Sequence, residues 1–284
     1  MEFRPSSTSP ESLAKYAALF RACFPTSTHL DETYLAWLYA GNPAGDVVGM
    51  DAWSDGLLAA HYVCVPAQAC IAGAPARVLL SLNTATHPDF QGKGLFTRLA
   101  EQTYAMGAER GFAAVYGVAN ANSTPGFVRK LGFTLLTPLD ARIGLGRIDR
   151  MGPGAQLQHS MFHRSWDAAG LRWRCANPAR PYRIHGLGAD GLAASAATGK
   201  PGIRAWAELP PVAGVAGAEP FPLAPRLHLG LRPRAHGRRG LAWADIPARF
   251  RSSPLNLIFR RLQDTVIMPD RQSIYFGVLD FDAF

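Results

Sequence analysis

Residues 81–111 read SLNTATHPDFQGKGLFTRLAEQTYAMGAERG, and the fold turns on this stretch. Ser81–His87 is rich in Thr and Leu and predicts an extended strand, which Pro88 and Asp89 end. Gln91-Gly92-Lys93-Gly94 then opens a helix. Its apolar residues Leu95, Leu99, Tyr104, Ala105 and Ala108 fall near helical spacing, and Gly111 closes it. A glycine turn that leads into a helix N-terminus is suited to an anion. The first-turn N–H groups have no intrahelical partner, and the helix dipole favours negative charge there. Glycine lets the backbone approach a ligand that a Cβ would block. The stretch is not a Walker A loop, because Gly94 rather than Ser or Thr follows Lys93. It is not the dinucleotide G-x-G-x-x-G either, because position 97 is Thr.

The chain has 284 residues, enough for one large or two small domains, and its 48% hydrophobic content supports a real core. No apolar run approaches the length of a membrane span, and no apolar segment follows a basic start at the N-terminus. Cys23, Cys64, Cys70 and Cys175 lack metal-ligand spacing, so the expectation is buried free thiols, no metal and a cytoplasmic protein. Residues 1–150 carry 12 basic and 12 acidic side chains; residues 151–284 carry 17 and 9, so the whole net charge of +8 lies in the second half. Such a half attracts phosphate-bearing ligands or acidic surfaces, although most of its arginines are expected to be simply solvated. No aromatic-interleaved basic stripe appears, and no nucleic-acid partner is expected.

Outward from the glycine loop, Glu11–Cys23 and Asp31–Tyr39 predict helices, with Asp31 as N-cap. Val47–Trp53 and Leu57–Val65 predict a hairpin about Ser54-Asp55-Gly56. Arg77–His87 and Ala113–Val118 predict strands on either side of the loop and helix. Gly126–Leu131 predicts a short helix, with a further strand from Gly132-Phe133. Met151-Gly152-Pro153-Gly154 marks a domain boundary, beyond which the chain begins again. Trp37 precedes Asn42-Pro43 as Trp173 precedes Asn177-Pro178, and Thr124-Pro125 precedes Phe127-Val128-Arg129-Lys130 as Ser253-Pro254 precedes Ile258-Phe259-Arg260-Arg261. The offsets, 136 and 129 residues, are near half the chain and point to internal duplication. The second half has candidate strands at Tyr182–Gly186, Ile203–Ala207 and Arg226–Leu231. A short helix is expected near Leu255–Leu262 and a closing strand over Gln272–Phe284. It has no counterpart of the glycine loop: His236-Gly237-Arg238-Arg239-Gly240 meets Pro247 too soon to start a long helix.

Thr84-Ala85-Thr86-His87-Pro88 followed by Gln91-Gly92-Lys93-Gly94 resembles the acyl-CoA loop of the GNAT N-acetyltransferases, and the order of elements matches that family's domain. Phe127-Val128-Arg129-Lys130-Leu131-Gly132-Phe133 resembles its last helix and Lys-x-Gly-Phe turn. The likeness is closest over Val47–Phe133 and extends over nearly the whole chain as a tandem-type arrangement. It implies an α/β fold with a mixed (α+β) sheet, the acyl-CoA N-acyltransferase fold. Residues 1–150 are then an acetyl-CoA-binding domain and residues 151–284 a degenerate, substrate-side GNAT-like half.

By the same resemblance, Gln91, Gly92, Lys93, Gly94, Leu95 and Phe96 cradle the pyrophosphate, with Phe96 where a Gly or Ala is usual. The backbone of Thr84, Ala85 and Thr86 pairs with the pantetheine arm and supplies an oxyanion donor. Asn122 contacts the arm, with Asn120 as the alternative. Val128 stands where the family has its thiolate-protonating Tyr, so Tyr116 on the preceding strand is the substitute candidate. For the base, His87 ranks first and the C-terminal carboxylate of Phe284 second; His61, Asp51, Asp280 and Asp282 are the other titratable groups near the site. The implied activity is acetyl transfer from acetyl-CoA, as co-substrate, to a small-molecule primary amine: an amino sugar or a nucleotide-linked one. The alternatives are an antibiotic or amino-acid amine, or an acyl-CoA-binding sensor or assembly protein without turnover.

Overall fold

Two mixed sheets organise the chain, and each is completed by a strand from the other half. The computed structural model describes residues 1–233, 240, 242–251 and 253–281. The first half contains β1 (Glu2–Pro5), α1 (Pro10–Cys23), α2 (Glu32–Tyr39), β2 (Val48–Ser54), β3 (Leu57–Ile71), β4 (Ala74–Thr86), α3 (Leu95–Glu109), β5 (Ala114–Ala119), α4 (Thr124–Lys130) and β6 (Thr134–Pro138). β7 (Asp140–Gly144) ends the first half, and the second contains α5 (Pro153–Leu157), β8 (Phe162–Arg164), α6 (Ala168–Cys175), β9 (Arg183–Gly186), β10 (Leu192–Ala197), β11 (Arg204–Leu209), β12 (Arg226–Gly230), β13 (Trp243–Asp245), β14 (Asn256–Arg261) and β15 (Ile274–Tyr275).

Local chemistry sets most of these elements. Ser9 caps α1 by accepting from the Ser12 N–H, Pro10 fits the first turn, and Leu13, Tyr16, Ala17 and Phe20 form the buried face. Asp31 caps α2 as expected, accepting from the Tyr34 N–H. Asp55 and Gly56, at φ 52° and 81°, make the tight turn of the β2–β3 hairpin, and a bulge between Trp53 and Ala52 then sets Asp51 opposite His61. One core lies between the first sheet and α1/α2, with Tyr16, Leu35, Val63, Tyr116 and Phe259. A second lies under α3 and α4, with Leu99, Tyr104, Phe127, Phe133 and Ile258.

The first sheet has the order β1-β2-β3-β4-β5-β14-β6, and the second β13-β7-β12-β11-β10-β9. Each begins with three antiparallel strands (β2-β3-β4; β9-β10-β11), followed by a parallel neighbour (β5; β12). In each, the strand inserted beyond that neighbour comes from the other half: β14 lies between β5 and β6, and β7 between β12 and β13. This exchange crosses the 150/151 boundary read from the sequence.

The repeated Trp helices meet face to face. The rings of Trp37 (α2) and Trp173 (α6) stack at 5.1 Å, and each indole Nε1 donates to the other residue's backbone oxygen at 2.9 Å. Contact of i with j and of j with i is the mark of a two-fold relation. The Asn residues that follow repeat too. Asn42 accepts from the Ala44 N–H, and Asn177 from the Ala179 N–H.

Three expectations are corrected. Leu255–Leu262 is not a helix; it contains β14. Leu257 and Phe259 enter one core and Ile258 the other, so the strand is apolar on both faces and shows no alternation. The closing strand of Gln272–Phe284 shrinks to Ile274–Tyr275. Gly277 and Asp280 then form a turn, in which the Asp280 N–H donates to the Gly277 oxygen and Asp280 Oδ2 accepts from the Gly277 N–H. Of the cysteines, only Cys64 is fully buried, whereas Cys23, Cys70 and Cys175 are half-buried; all four are free thiols.

A fragment ending at residue 150 leaves β5 without β14. It is expected to give a disordered amide NMR spectrum, whereas the full chain gives a dispersed one. Trp37→Ala removes the stack and the indole hydrogen bond to the Trp173 carbonyl, which keeps the Ala176 N–H. It is expected to lower stability by about 3 kcal/mol in denaturant unfolding.

Candidate functional site

The site is built where β4 and β5 part. The two strands run parallel and pair only over Val78–Leu80 and Ala114–Tyr116. Beyond Leu80, β4 bulges: Leu82 faces Val63 and Ala85 faces His61, so two residues oppose Tyr62 alone. Asn83 in this bulge has φ 48°. The wedge between the carboxyl ends of β4 and β5 leaves the β5-facing edge of Thr84, Ala85 and Thr86 outside that ladder. This is the edge on which an extended ligand would pair.

The glycine loop lies at the mouth of this wedge. His87 and a short turn, Pro88–Phe90, lead into it. Gly92 and Gly94 have φ 76° and 71°, and a Cβ at either would meet nothing within 4 Å, so the space in front of the loop is open. Gly94 is the N-cap of α3 and brings no side-chain cap, which leaves the first-turn N–H groups for a ligand. Gln91 and Lys93 are exposed, with the Lys93 ammonium 4.5 Å over the Phe90 ring. Leu95 is buried and anchors the turn. Phe96 packs edge-on against Phe127 at 5.4 Å and Tyr62 at 6.0 Å, so its ring joins the start of α3 to α4.

The other candidates fare differently. Asn120 is committed to its own turn: its Oδ1 accepts from the N–H groups of Asn122 and Ser123 at 3.0 and 2.9 Å, while Asn122 stays exposed. His87 caps the turn after β4 through Nδ1, which accepts from the Asp89 N–H at 3.3 Å. Tyr116 is held inside the core. It is fully buried among core side chains, donates to the Asp280 backbone oxygen at 2.8 Å and accepts from Arg164 Nη1 at 2.9 Å. Burial pushes its phenol up to about 12, partly offset by Arg164. Val128, in the place of the usual acid, is 37% exposed on α4. Phe284 and Asp282 lie outside the described residues, as does the string 236–239. The chain before Phe284 is held close to the wedge: Phe281 and Leu279 line a small space together with Leu80 and Leu82 of β4. Arg174 donates to both of their backbone oxygens, at 2.7 and 3.0 Å.

The second half has a matching wedge, since β11 and β12 pair only over Arg204–Ala205 and Arg226–Leu227. It is filled by the chain itself. Phe276 and Leu231 exchange backbone hydrogen bonds at 2.9 and 3.0 Å, and the Tyr275 hydroxyl donates to the Glu208 oxygen at 2.6 Å. A pantetheine arm would have to displace this segment.

The sequence reading weighed His61 and Asp51 singly; the structure joins them to Tyr39 and Asn83, which it missed. Counting outward from Asp55-Gly56 pairs Asp51 with Ala60; a bulge between Trp53 and Ala52 shifts the register by one and brings His61 opposite Asp51, which the sequence does not announce.

A family model described as an acetyltransferase (GNAT) domain matches residues 4–136, which span the wedge, the loop and both of their helices. Residues 4–136 belong to the GNAT acetyltransferase family. The GNAT fold continues beyond them. Over 92% of the chain, the structure resembles a probable N-acyltransferase of unknown function from Enterococcus faecalis (12% identity, TM-score 0.57, 73% of that chain covered). Over the same share it resembles a GCN5-related N-acetyltransferase from Anabaena variabilis (11%, 0.55, 73%) and Eis1 from Mycobacterium abscessus (13%, 0.58, 74%). At these identities the likeness is one of fold. A search of curated proteins finds no match. Among the described residues, no helix is long and apolar enough to cross a membrane.

Tyr116→Phe removes the bonds to Arg164 and Asp280 but leaves the glycine loop untouched. It is expected to lower stability by about 1–3 kcal/mol in urea unfolding, with acetyl-CoA affinity by calorimetry unchanged.

Proposed function

We propose that the GNAT domain binds acetyl-CoA at the glycine loop and wedge, and transfers the acetyl group to a primary amine held between the two halves. The observation that carries this is the pair of left-handed glycines facing open space at the N-terminus of α3, beside a β4 edge that β5 has left. The pyrophosphate meets the loop N–H groups and Lys93, and the pantetheine arm adds to β4 as a strand. The amine nitrogen attacks the thioester carbon, an N–H at the β4 edge receives the oxyanion, and the C–S bond breaks as the amide forms. The proton leaves the nitrogen for water. With Val128 in place of a phenol, CoA departs as a thiolate; a thiol with a pKa of about 8.5 is a tolerable leaving group.

The amine's place is a cavity of about 1040 Å³ on the second sheet, with Leu139, Ala141, Ile143, Leu227, Leu229 and Leu255 in its wall. Ser253 in its wall accepts through Oγ from the Ala121 N–H, just past β5. The wall is largely apolar, while Lys200, Arg249 and Arg251 also line it. Asp245 lines it too, so the lining favours an amine with an apolar body over the nucleotide-linked amino sugar that the basic second half suggested. A sensor without turnover is the second reading. Val128 at the acid's position and the full engagement of Tyr116 favour it.

Thermal stabilisation by acetyl-CoA is measured first, then free-thiol release with phenethylamine, octylamine, glucosamine and a nucleotide-linked glucosamine. Stabilisation with faster release on the apolar amines is the expected result. Stabilisation without turnover on any amine selects the sensor, and no stabilisation by acetyl-CoA sinks the loop assignment. Gly94→Asp places a carboxylate against the pyrophosphate and forces an unfavourable φ. It is expected to weaken acetyl-CoA binding at least tenfold, or about 1.4 kcal/mol.

A further inference from the structure

One chain of buried polar side chains has no part in the chemistry above. Asp51 on β2, His61 on β3 and Tyr39 at the end of α2 are 2%, 0% and 0% exposed, and Asn83 sits in the β4 bulge. Asp51 Oδ1 lies 2.6 Å from His61 Nδ1, and His61 Nε2 lies 3.0 Å from the Tyr39 hydroxyl. Asn83 Nδ2 donates to the same hydroxyl at 3.2 Å. Asp51 also accepts from Ser6 Oγ at 2.8 Å and from the Tyr16 hydroxyl at 2.6 Å, and Tyr16 in turn accepts from the Ser7 N–H at 3.0 Å. The Tyr16 ring stacks on His61 at 4.0 Å.

The direction of every bond follows from its end. A carboxylate only accepts, so His61 donates from Nδ1. In the neutral imidazole Nε2 is then the acceptor for the Tyr39 O–H, and the Tyr39 oxygen is left to receive the Asn83 N–H. This order gives each buried group a partner. It also fixes the amide of the half-buried Asn83: Nδ2 is given to Tyr39, which leaves Oδ1 to accept from water or a bound molecule.

The position of that oxygen gives it meaning. Asn83 is the third residue past Leu80, where β4 and β5 stop pairing, and it immediately precedes Thr84 on the edge offered to the pantetheine arm. It holds a left-handed φ that a side chain other than Asn or Gly would rarely adopt. A buried network of this kind stabilises a fold less than apolar packing of the same shape does, so specificity of arrangement is its attested use.

We propose that Asn83 Oδ1 receives an N–H from the reacting pair, supplied by the acceptor amine or by an amide of the pantetheine arm, and that Asp51, His61 and Tyr39 are positioning residues that hold the amide in this orientation. The proposal rests on the acyl-CoA reading above and adds to it the residue that orients the bound reactants.

The test uses the full chain, with Asn83→Gly, Tyr39→Phe and the double variant. Glycine accepts φ 48° without strain, so Asn83→Gly removes the amide while keeping the bulge. The dissociation constant of acetyl-CoA is read by calorimetry, and KM and kcat are read with the amine that is turned over fastest in the panel above. Asn83→Gly is expected to raise one of the two constants five- to tenfold, with the unfolding midpoint within a few degrees of wild type. A rise in the acetyl-CoA constant identifies the pantetheine arm as the donor; a rise in KM for the amine identifies the acceptor. Tyr39→Phe is expected to move the same constant, and the double variant to be no worse than Asn83→Gly alone. A folded Asn83→Gly with all three constants unchanged overturns the proposal, and additive effects of the two substitutions overturn the positioning role. If wild type binds acetyl-CoA but acetylates none of the amines, an unchanged acetyl-CoA constant in Asn83→Gly overturns it. Failure of wild type to bind acetyl-CoA is a failure of the acyl-CoA reading itself.

Discussion

The structure depends on a shortage of partners along β5. For a wedge to open between β4 and β5, β5 must give up most of its hydrogen bonds on that side, and it keeps only three paired positions there. A strand so poorly held needs a full ladder on its other edge. β14 supplies it, pairing Asn256–Arg261 with Ala119–Ala114 along the whole length. The opening that would admit the ligand is therefore held by residues that lie beyond the matched family domain. The same logic applies in reverse to β12, which pairs with β7 on its closed side. The Trp37–Trp173 stack lies between the two repeats and fixes how they face each other.

The second wedge shows what happens when the opening is not kept for a ligand. There the segment Ile274–Phe276 lies in the gap, and its end is tied back into the first half. Asp280 is the centre of that tie. Its carboxylate accepts from the Gly277 N–H and from Trp166 Nε1, and its backbone oxygen accepts from Tyr116. Burial raises its pKa, opposed by Arg164 and by those hydrogen bonds. The result is a chain that leaves one wedge and arrives beside the other, with Phe281 stacked on Phe276 at 5.5 Å.

How much of this the sequence disclosed follows the range of each interaction. The glycine loop was legible because a left-handed turn and the helix after it are decided within a few residues. The hairpin was legible for the same reason, and α1 and α2 announced themselves through the spacing of their apolar faces, α2 also through Asp31. The parallel between Trp37 and Trp173 was legible too, and the Asn residues behind them keep the same local hydrogen bond in both halves. The exchange of β7 and β14 did not show. Which sheet a strand joins is a choice of partner, and Leu257-Ile258-Phe259, apolar on both faces, carries no period that separates strand from helix. Tyr39 and Asn83 were missed on similar grounds: a terminal helix tyrosine and a strand asparagine become neighbours of His61 only through packing.

The exchanged strands also bear on how the molecule comes off the ribosome. β5 is synthesised more than a hundred residues before β14, which at cellular elongation speeds is a wait of roughly 10–30 s. Through that interval the edge that β14 will cover is a row of unpaired amides and carbonyls beside Val115 and Val118, open to any other extended chain. A linear order of synthesis thus sets a period of exposure that the finished fold no longer displays. The nascent N-terminal half of this protein therefore carries an open β5 edge until β14 arrives.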